Sequence, residues 1–165
     1  MMEELEDAFI TFIRTQQKSL YRLAYSYTKN EQDALDVVQD SIQKGWLALE
    51  RLTKREQIKS WFYTILVRTA IDLLRKQKRI KLFGDEFLLQ ISEQDTYRNL
   101  DLHQALHHLP IQLREVIVLR YFEDLKIEEV AHILTIPLST AKSRLYKALK
   151  LLKIELEMEE NWVNG

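Results

Sequence analysis

Lys142, Ser143, Tyr146 and Lys147 fall within one short stretch near the end of the chain, and Lys150 and Lys153 continue the series. Ammonium groups neutralise phosphates, while hydroxyl and amine donors can reach the edges of bases. Neither the residue types nor their spacing builds a bond-making site. A second set, Trp61, Arg68, Asp72, Arg75, Lys76 and Arg79, combines an aromatic ring with cations. A third, Asp33, Asp36 and Asp40, is purely acidic. With no cysteine in the chain, disulfides, thiolate catalysis and Cys-based zinc sites are excluded. His103 and His107 are spaced i, i+4 and could share a helix face toward a metal. With only Asp101 as a nearby carboxylate, a solvent-facing pair is the expectation. No glycine-rich phosphate loop or nucleophile motif is present, and no cofactor is expected.

Helices must carry these sets. Glycine is limited to three residues and proline to two, and most long stretches repeat apolar residues with a helical period. The pattern predicts an all-α chain with helices at about 3–28, 31–50, 56–80, 99–108, 111–122, 127–134 and 139–157. Lys29-Asn30 fits a turn between the first two, and Leu109-Pro110 fits a helix entry with proline at its first position. Periodicity weakens from Ile80 to about Arg98. The expectation is therefore two small helical domains, 1–81 and 99–165, joined by a linker at 82–98.

The C-terminal basic set gains meaning from its neighbours. Ile127, Val130, Ala131 and Leu134 make a compact amphipathic helix, Thr135 to Leu138 interrupts it, and Ser139 is a suitable cap for the next. Two helices joined this way form a helix-turn-helix candidate. On the second helix Ala141, Leu145, Ala148, Leu149 and Leu152 share the inward arc. Lys142, Ser143, Tyr146, Lys147, Lys150 and Lys153 share the outward one. Such helices read bases with their N-terminal residues, so this face is expected to contact duplex DNA.

The helix at 31–50 has Leu35, Val38, Ile42, Trp46 and Leu49 on one arc, expected to be core. Asp33, Asp36 and Asp40 share another with Val37 and Leu47, an acidic face with exposed aliphatics that suits a protein partner. The helix at 56–80 sets Trp61 beside Arg68, Arg75 and Arg79, an arrangement that suits single-stranded DNA: cations hold the backbone and aromatic faces stack on bases. Trp61 could equally anchor the core. A net charge of −1 conceals this segregation into acidic and basic faces. No apolar run is long enough to span a bilayer, and the acidic N-terminus lacks a signal peptide's basic start, so a cytoplasmic location is expected.

The runs Leu20-Tyr21-Arg22-Leu23-Ala24, Asp33-Ala34-Leu35-Asp36-Val37-Val38-Gln39-Asp40, Ser60-Trp61-Phe62-Tyr63-Thr64-Ile65 and Ala70-Ile71-Asp72-Leu73-Leu74-Arg75-Lys76 resemble sigma region 2. Leu109-Pro110, the run Arg114 to Arg120, Glu128-Glu129-Val130-Ala131 and Ser139-Thr140-Ala141-Lys142-Ser143-Arg144-Leu145 resemble region 4. Together they cover nearly the whole chain, which resembles the extracytoplasmic-function (ECF) sigma factors, in particular the envelope-stress members of low-GC Gram-positive bacteria.

The resemblance implies a promoter-specificity subunit of RNA polymerase with no catalytic site or small-molecule substrate. Asp33, Asp36, Val37, Gln39 and Asp40 would bind core polymerase. Arg51, Thr53 and Lys54 would lie in the loop that receives a flipped −10 base. Trp61, Arg68, Arg75 and Arg79 would line the melted strand. Thr140, Lys142, Ser143, Arg144, Tyr146 and Lys147 would read the −35 element. It also implies control by an anti-sigma factor, often membrane-bound. Two positions depart from the common pattern: Arg68 stands where many members have Asn, and Ser139 where Gly is common.

Overall fold

The computed structural model describes residues 2–83 and 102–164. Among them all regular structure is helical: α1 (Met2–Thr15), α2 (Gln17–Thr28), α3 (Glu31–Ala48), α4 (Ile58–Phe83), α5 (Leu102–His108), α6 (Ile111–Ile117), α7 (Ile127–Leu134) and α8 (Leu138–Asn164). The all-α expectation holds. Residues 82 and 83 of the expected linker belong to α4; residues 84–98, and 99–101 of the expected fifth helix, lie outside the described residues.

The helix expected over 3–28 is two. Thr15 Oγ1 donates to the carbonyls of Thr11 (2.9 Å) and Phe12 (3.3 Å), and Gln16 leaves helical geometry at φ −108°, ψ 15°. Hydroxyl back-bonding of this kind bends helices, and here α2 restarts one residue later. The Lys29-Asn30 turn forms as expected. Lys29 takes the left-handed conformation at φ 55°, and the Asn30 side chain caps α3 by accepting from the Asp33 N–H at 2.9 Å.

The helix expected over 111–122 changes character. Pro110 precedes α6 rather than opening it, and after Ile117 the chain widens into a π turn, Val118–Phe122, closed by the Glu123 N–H on the Val118 carbonyl at 2.9 Å. Such a turn inserts extra backbone and re-aims the side chains that follow, here Phe122 and Glu123. Thr135, at φ 58°, ends α7. The next helix begins at Leu138, so Ser139 lies in its first turn and is not its cap; the Pro137 carbonyl accepts from the Ala141 N–H at 3.0 Å instead.

On α3 the buried arc differs from the expected one. Ala34, Val37, Ser41 and Gly45 face the core; of the expected stripe Leu49 is buried and Val38 and Ile42 pack partly buried against the core, whereas Leu35 and Trp46 are nearly half exposed. The reason is steric: α3 is sandwiched among α1, α2 and α4. Small side chains let the backbones approach, so bulky ones are displaced to the flanks. At Gly45 an added Cβ would lie 3.0 Å from Phe9 Cζ and 3.1 Å from Phe62 Cε2.

Helices α1–α4 form one bundle around Phe9, Leu20, Leu23, Phe62, Tyr63 and Leu66. Helices α5–α8 form a second around Ala105, Leu109, Ile117, Ala148 and Leu152. The first core is continuous with Val116, Leu119, Leu125, Val130 and Ile133 of the second bundle. Helix α6 therefore packs on α2, and α7 on α4.

Candidate nucleic-acid interface

On α8, Lys142, Ser143, Tyr146 and Lys147 are exposed as the wheel predicts, and Thr140 and Arg144 are half-buried. Ala141, Ala148 and Leu152 are buried; Leu149, expected inward, is 41% exposed because the arc facing α5 and α6 is narrower than the apolar stripe. Thr140, Ser143, Arg144 and Lys147 line an open cleft of about 540 Å³ with Pro110 and Gln112 from the start of α6. This face offers hydroxyl, guanidinium and ammonium donors to a groove of duplex DNA.

A second cleft, of about 470 Å³, lies on α4 and the loop before it. It brings together Arg51, Thr53, Trp61 and Arg68, four of the residues singled out in the sequence. Lys54, Arg75 and Arg79 are exposed outside it, the last two farther along α4. Trp61 is half-buried and meets the ring of Phe9 edge-on at 6.2 Å, so it anchors α1 while also lining the cleft. Gln57, the end of the expected base-receiving loop, also lines it, while sequence reasoning missed Ser60, Thr64 and, from α7, His132. Ser60 and Thr64 share the helix face of Trp61 and Arg68 and were within reach of the wheel. His132 was not, because it arrives from the other bundle.

The acidic stripe is present on α3. Asp36, Gln39 and Asp40 are exposed, and Asp40 pairs with Lys44 at 3.4 Å. Asp33 is half-buried and accepts from Gln77 Nε2 of α4 at 2.8 Å. Val37 does not belong to this surface. It is 2% exposed, on the arc that packs into the core, so it cannot meet a partner. Leu47, 75% exposed, keeps its expected place as a surface aliphatic.

Where the bundles meet, charge is buried. The Tyr27 hydroxyl donates to the Glu115 carboxylate. Tyr63 donates to Glu123 at 3.0 Å, and Arg22 reaches the same carboxylate at 3.2 Å and the Phe122 carbonyl at 2.9 Å. Arg114 donates to the carbonyls of Ser26 (2.6 Å) and Leu109 (2.9 Å). Burial pushes both carboxyls above the ordinary value, against the pull of Tyr27, Arg144 and Arg114 on Glu115, and of Arg22, Tyr63 and Ser19 on Glu123. Burial and the facing carboxylates raise the two phenols as well, so both stay protonated donors at neutral pH. Beside this network His107 meets Tyr25 edge-on at 5.5 Å. Among the described residues no cluster of three or more His, Asp or Glu could hold a metal ion, and no helix is long and apolar enough to cross a membrane.

The two bundles correspond to two family models: Sigma-70 region 2 matches residues 12–80 and Sigma-70 region 4 matches residues 99–152. Over 153 residues, 92% of each chain, the sequence is 50% identical to RNA polymerase sigma factor SigV of Bacillus subtilis. The chain is an ECF sigma factor of the sigma-70 family. It is also 27% identical to the ECF sigma factor SigW of the same species over 92% of this sigma factor and 90% of that one. Its fold resembles the sigma factor RpoE solved in complex with the anti-sigma factor NepR from Bartonella quintana. There the TM-score is 0.75 at 25% identity, covering 90% of this chain and 96% of that one. CnrH, solved with the cytosolic domain of CnrY, has the same fold, with a TM-score of 0.69 at 24% identity over 93% of this chain and 90% of that one. As a sigma factor it serves transcription initiation as a specificity subunit, binding core RNA polymerase and promoter DNA.

Proposed function

We propose that the three surfaces divide promoter recognition among them. Asp33, Asp36, Gln39 and Asp40 on α3 dock on core polymerase, whose interface would supply the basic partners. The cleft of Arg51, Thr53, Trp61 and Arg68 receives an unstacked −10 base, with Lys54 beside it and Arg75 and Arg79 along the strand's path. Unstacking costs a few kcal/mol, so capture both selects sequence and holds the strands apart. Thr140, Lys142, Ser143, Arg144, Tyr146 and Lys147 read the −35 element. Residues 1–81 make the polymerase- and −10-binding unit, 82–98 the linker and 99–165 the −35-binding unit. The chain works in the cytoplasm and carries no catalytic site of its own. An anti-sigma factor, membrane-bound, restrains it in an envelope-stress response, as NepR partners RpoE.

The observation that carries this reading is the cleft itself: two guanidinium groups, three hydroxyls and an indole around one cavity are the chemistry that holds a base and its phosphate. The test combines the purified protein with bacterial core polymerase and a promoter library. Transcripts that require the protein and share −35 and −10 elements are expected. Folded protein that neither binds core polymerase nor directs transcripts would instead be an ordinary duplex-binding regulator.

A further inference from the structure

A cavity of about 320 Å³ opens where α2 and the start of α3 face α5, α6 and the π turn. That volume is in the range of small-ligand pockets. The rings of Tyr21, Tyr25, His107 and Phe122 make up much of its wall, with buried Val118 among them. Tyr25 and His107 meet edge-on at 5.5 Å, and Tyr21 lies 5.9 Å from Tyr25. None of the residues around this cavity belongs to the surfaces assigned to polymerase or DNA.

Two guanidinium groups also line the cavity, and they are balanced differently. Arg22 is paired: its Nε and Nη2 meet Glu123, Ser19 and the Phe122 carbonyl, and Nη1 is left over. Arg114 is only 4% exposed, yet its bonds all go to carbonyls, those of Ser26 (2.6 Å), Leu109 (2.9 Å) and His107 (3.3 Å). Its Nη2 makes none of them. No fully enclosed side-chain nitrogen among the described residues lacks a partner, so Nη2 is open to the cavity that Arg114 lines. Among the described residues no carboxylate lies within ion-pair distance of this guanidinium. Neighbouring Glu115 is taken up by Tyr27, and burial biases its carboxyl toward the neutral form. Burial likewise pushes Arg114 below its ordinary value. Lys29 adds a further cation, its Nζ donating to the same His107 carbonyl at 2.7 Å. A buried cation satisfied only by neutral carbonyls is short of a counter-charge. Glu31 also lines the cavity, but it is exposed to water, which screens its charge.

We infer that this cavity binds a small organic anion, a carboxylate on a flat aromatic body, held by Arg22 Nη1 and Arg114 Nη2 with its ring against Tyr25, His107 and Phe122. The carboxylate supplies the counter-charge that Arg114 lacks, and guanidinium N–H groups match carboxylate oxygens in geometry. The aromatic walls favour a planar ring through edge and offset contacts. An inorganic anion would meet the cations but leave those walls against water, so charge and ring are both required. The occupant touches α2 and the π turn at once, and binding therefore stabilises the folded chain. This site is independent of the promoter-reading surfaces and stands whether or not their assignment does.

The test uses the full-length protein with phenylacetate as the probe and phenylacetamide, benzylamine and acetate as controls. Phenylacetate should bind saturably by calorimetry, one per chain, and should move the amide signals of Ser26, His107 and Val118 in nitrogen-labelled protein. Phenylacetamide, neutral and of the same shape, should bind about tenfold or more weakly, the worth of one charge-assisted hydrogen bond. Benzylamine lacks the negative charge and acetate lacks the ring, so both should bind more weakly than phenylacetate. Arg114→Gln should weaken phenylacetate binding about tenfold and leave phenylacetamide binding unchanged. Should that variant lose helical signal, Arg22→Lys carries the same test, because it keeps a cation for Glu123 but gives up the planar fork. Equal binding of phenylacetate and phenylacetamide would overturn anion recognition. Benzylamine binding more tightly than phenylacetate would overturn it as well and give the cavity to Glu31. Absence of phenylacetate binding, or signals that move only elsewhere, would overturn the site and leave Arg114 as a tie between backbone carbonyls.

Discussion

Replacing Gly45 by alanine sets two opposing effects against each other at the centre of the helix that carries the acidic stripe. Alanine is the better helix former by about 1 kcal/mol, so on propensity alone Gly45→Ala should stabilise α3. Packing says otherwise. The new methyl would sit 3.0 Å from Phe9 Cζ, 3.1 Å from Phe62 Cε2 and 3.2 Å from Phe62 Cδ2. Phe9 is 1% exposed and Phe62 fully buried, and the two rings touch each other edge-on at 5.7 Å, so neither can swing into solvent. Relief must come from moving α1 or α4 away from α3, and overpacking of this kind costs roughly 1–3 kcal/mol. The net expectation is a loss of about 1 kcal/mol, which lowers the melting temperature of a bundle this size by about 4–8 °C. Thermal and urea unfolding of wild type, Gly45→Ala and Gly45→Val measure it, with valine losing more. A Gly45→Ala protein more stable than wild type by about 1 kcal/mol would refute the reasoning, because propensity would then have outweighed contact. A confirmed loss would mean that this glycine sets the spacing of α3 from α1 and α4.

Other expectations concern the surfaces. Asp40→Ala should weaken binding to core polymerase by about 1–2 kcal/mol while leaving promoter sequence preference and melting temperature unchanged, since its exposed pair with Lys44 adds little stability; unaltered assembly with core polymerase would remove Asp40 from that interface. Lys147→Ala should reduce −35-dependent transcription, by about 1–3 kcal/mol with relaxed preference at one base if it reads an edge, or uniformly across promoters if it holds a phosphate; equal activity on all promoters would exclude it from contact. Docking of the two bundles should depend on pH through Glu115 and Glu123, whose carboxyls are raised in the packed state and return to the ordinary value when exposed. Between those two values the docked form holds more protons, so docking strengthens as pH falls from neutral and its extra stability is lost as pH rises through the raised values. Scattering should therefore report a smaller radius of gyration in mildly acid buffer; expansion there would contradict the direction of both shifts.

Much of this molecule is legible from local rules. Helical periodicity, the Lys29-Asn30 turn and the outward basic face of α8 depend on residues within a few positions of one another, and each appears where the pattern puts it. The π turn and the break at Gln16 are hidden because a one-residue change in backbone hydrogen bonding leaves the apolar spacing almost intact. On α3, apolar periodicity pointed to Leu35 and Trp46 as core and left Val37 outside. The tertiary packing reversed this because helices in close approach select for small side chains, and size is invisible to a wheel that scores only polarity.

The chain's order of residues by itself determined an all-helical protein, the basic face of α8, the acidic face of α3 and the set of Trp61 with Arg68 on α4, because local propensity and side-chain chemistry settle those features; Arg51 and Thr53 were named only through the family resemblance. Only the tertiary structure decided that Glu115 and Glu123 are buried against Tyr27 and Tyr63, and that His132 stands at the cleft with Arg51, Trp61 and Arg68. Those partners are separated by 88 residues in one pair and 60 in the other. Their meeting depends on how two independently patterned bundles dock, which no local periodicity encodes.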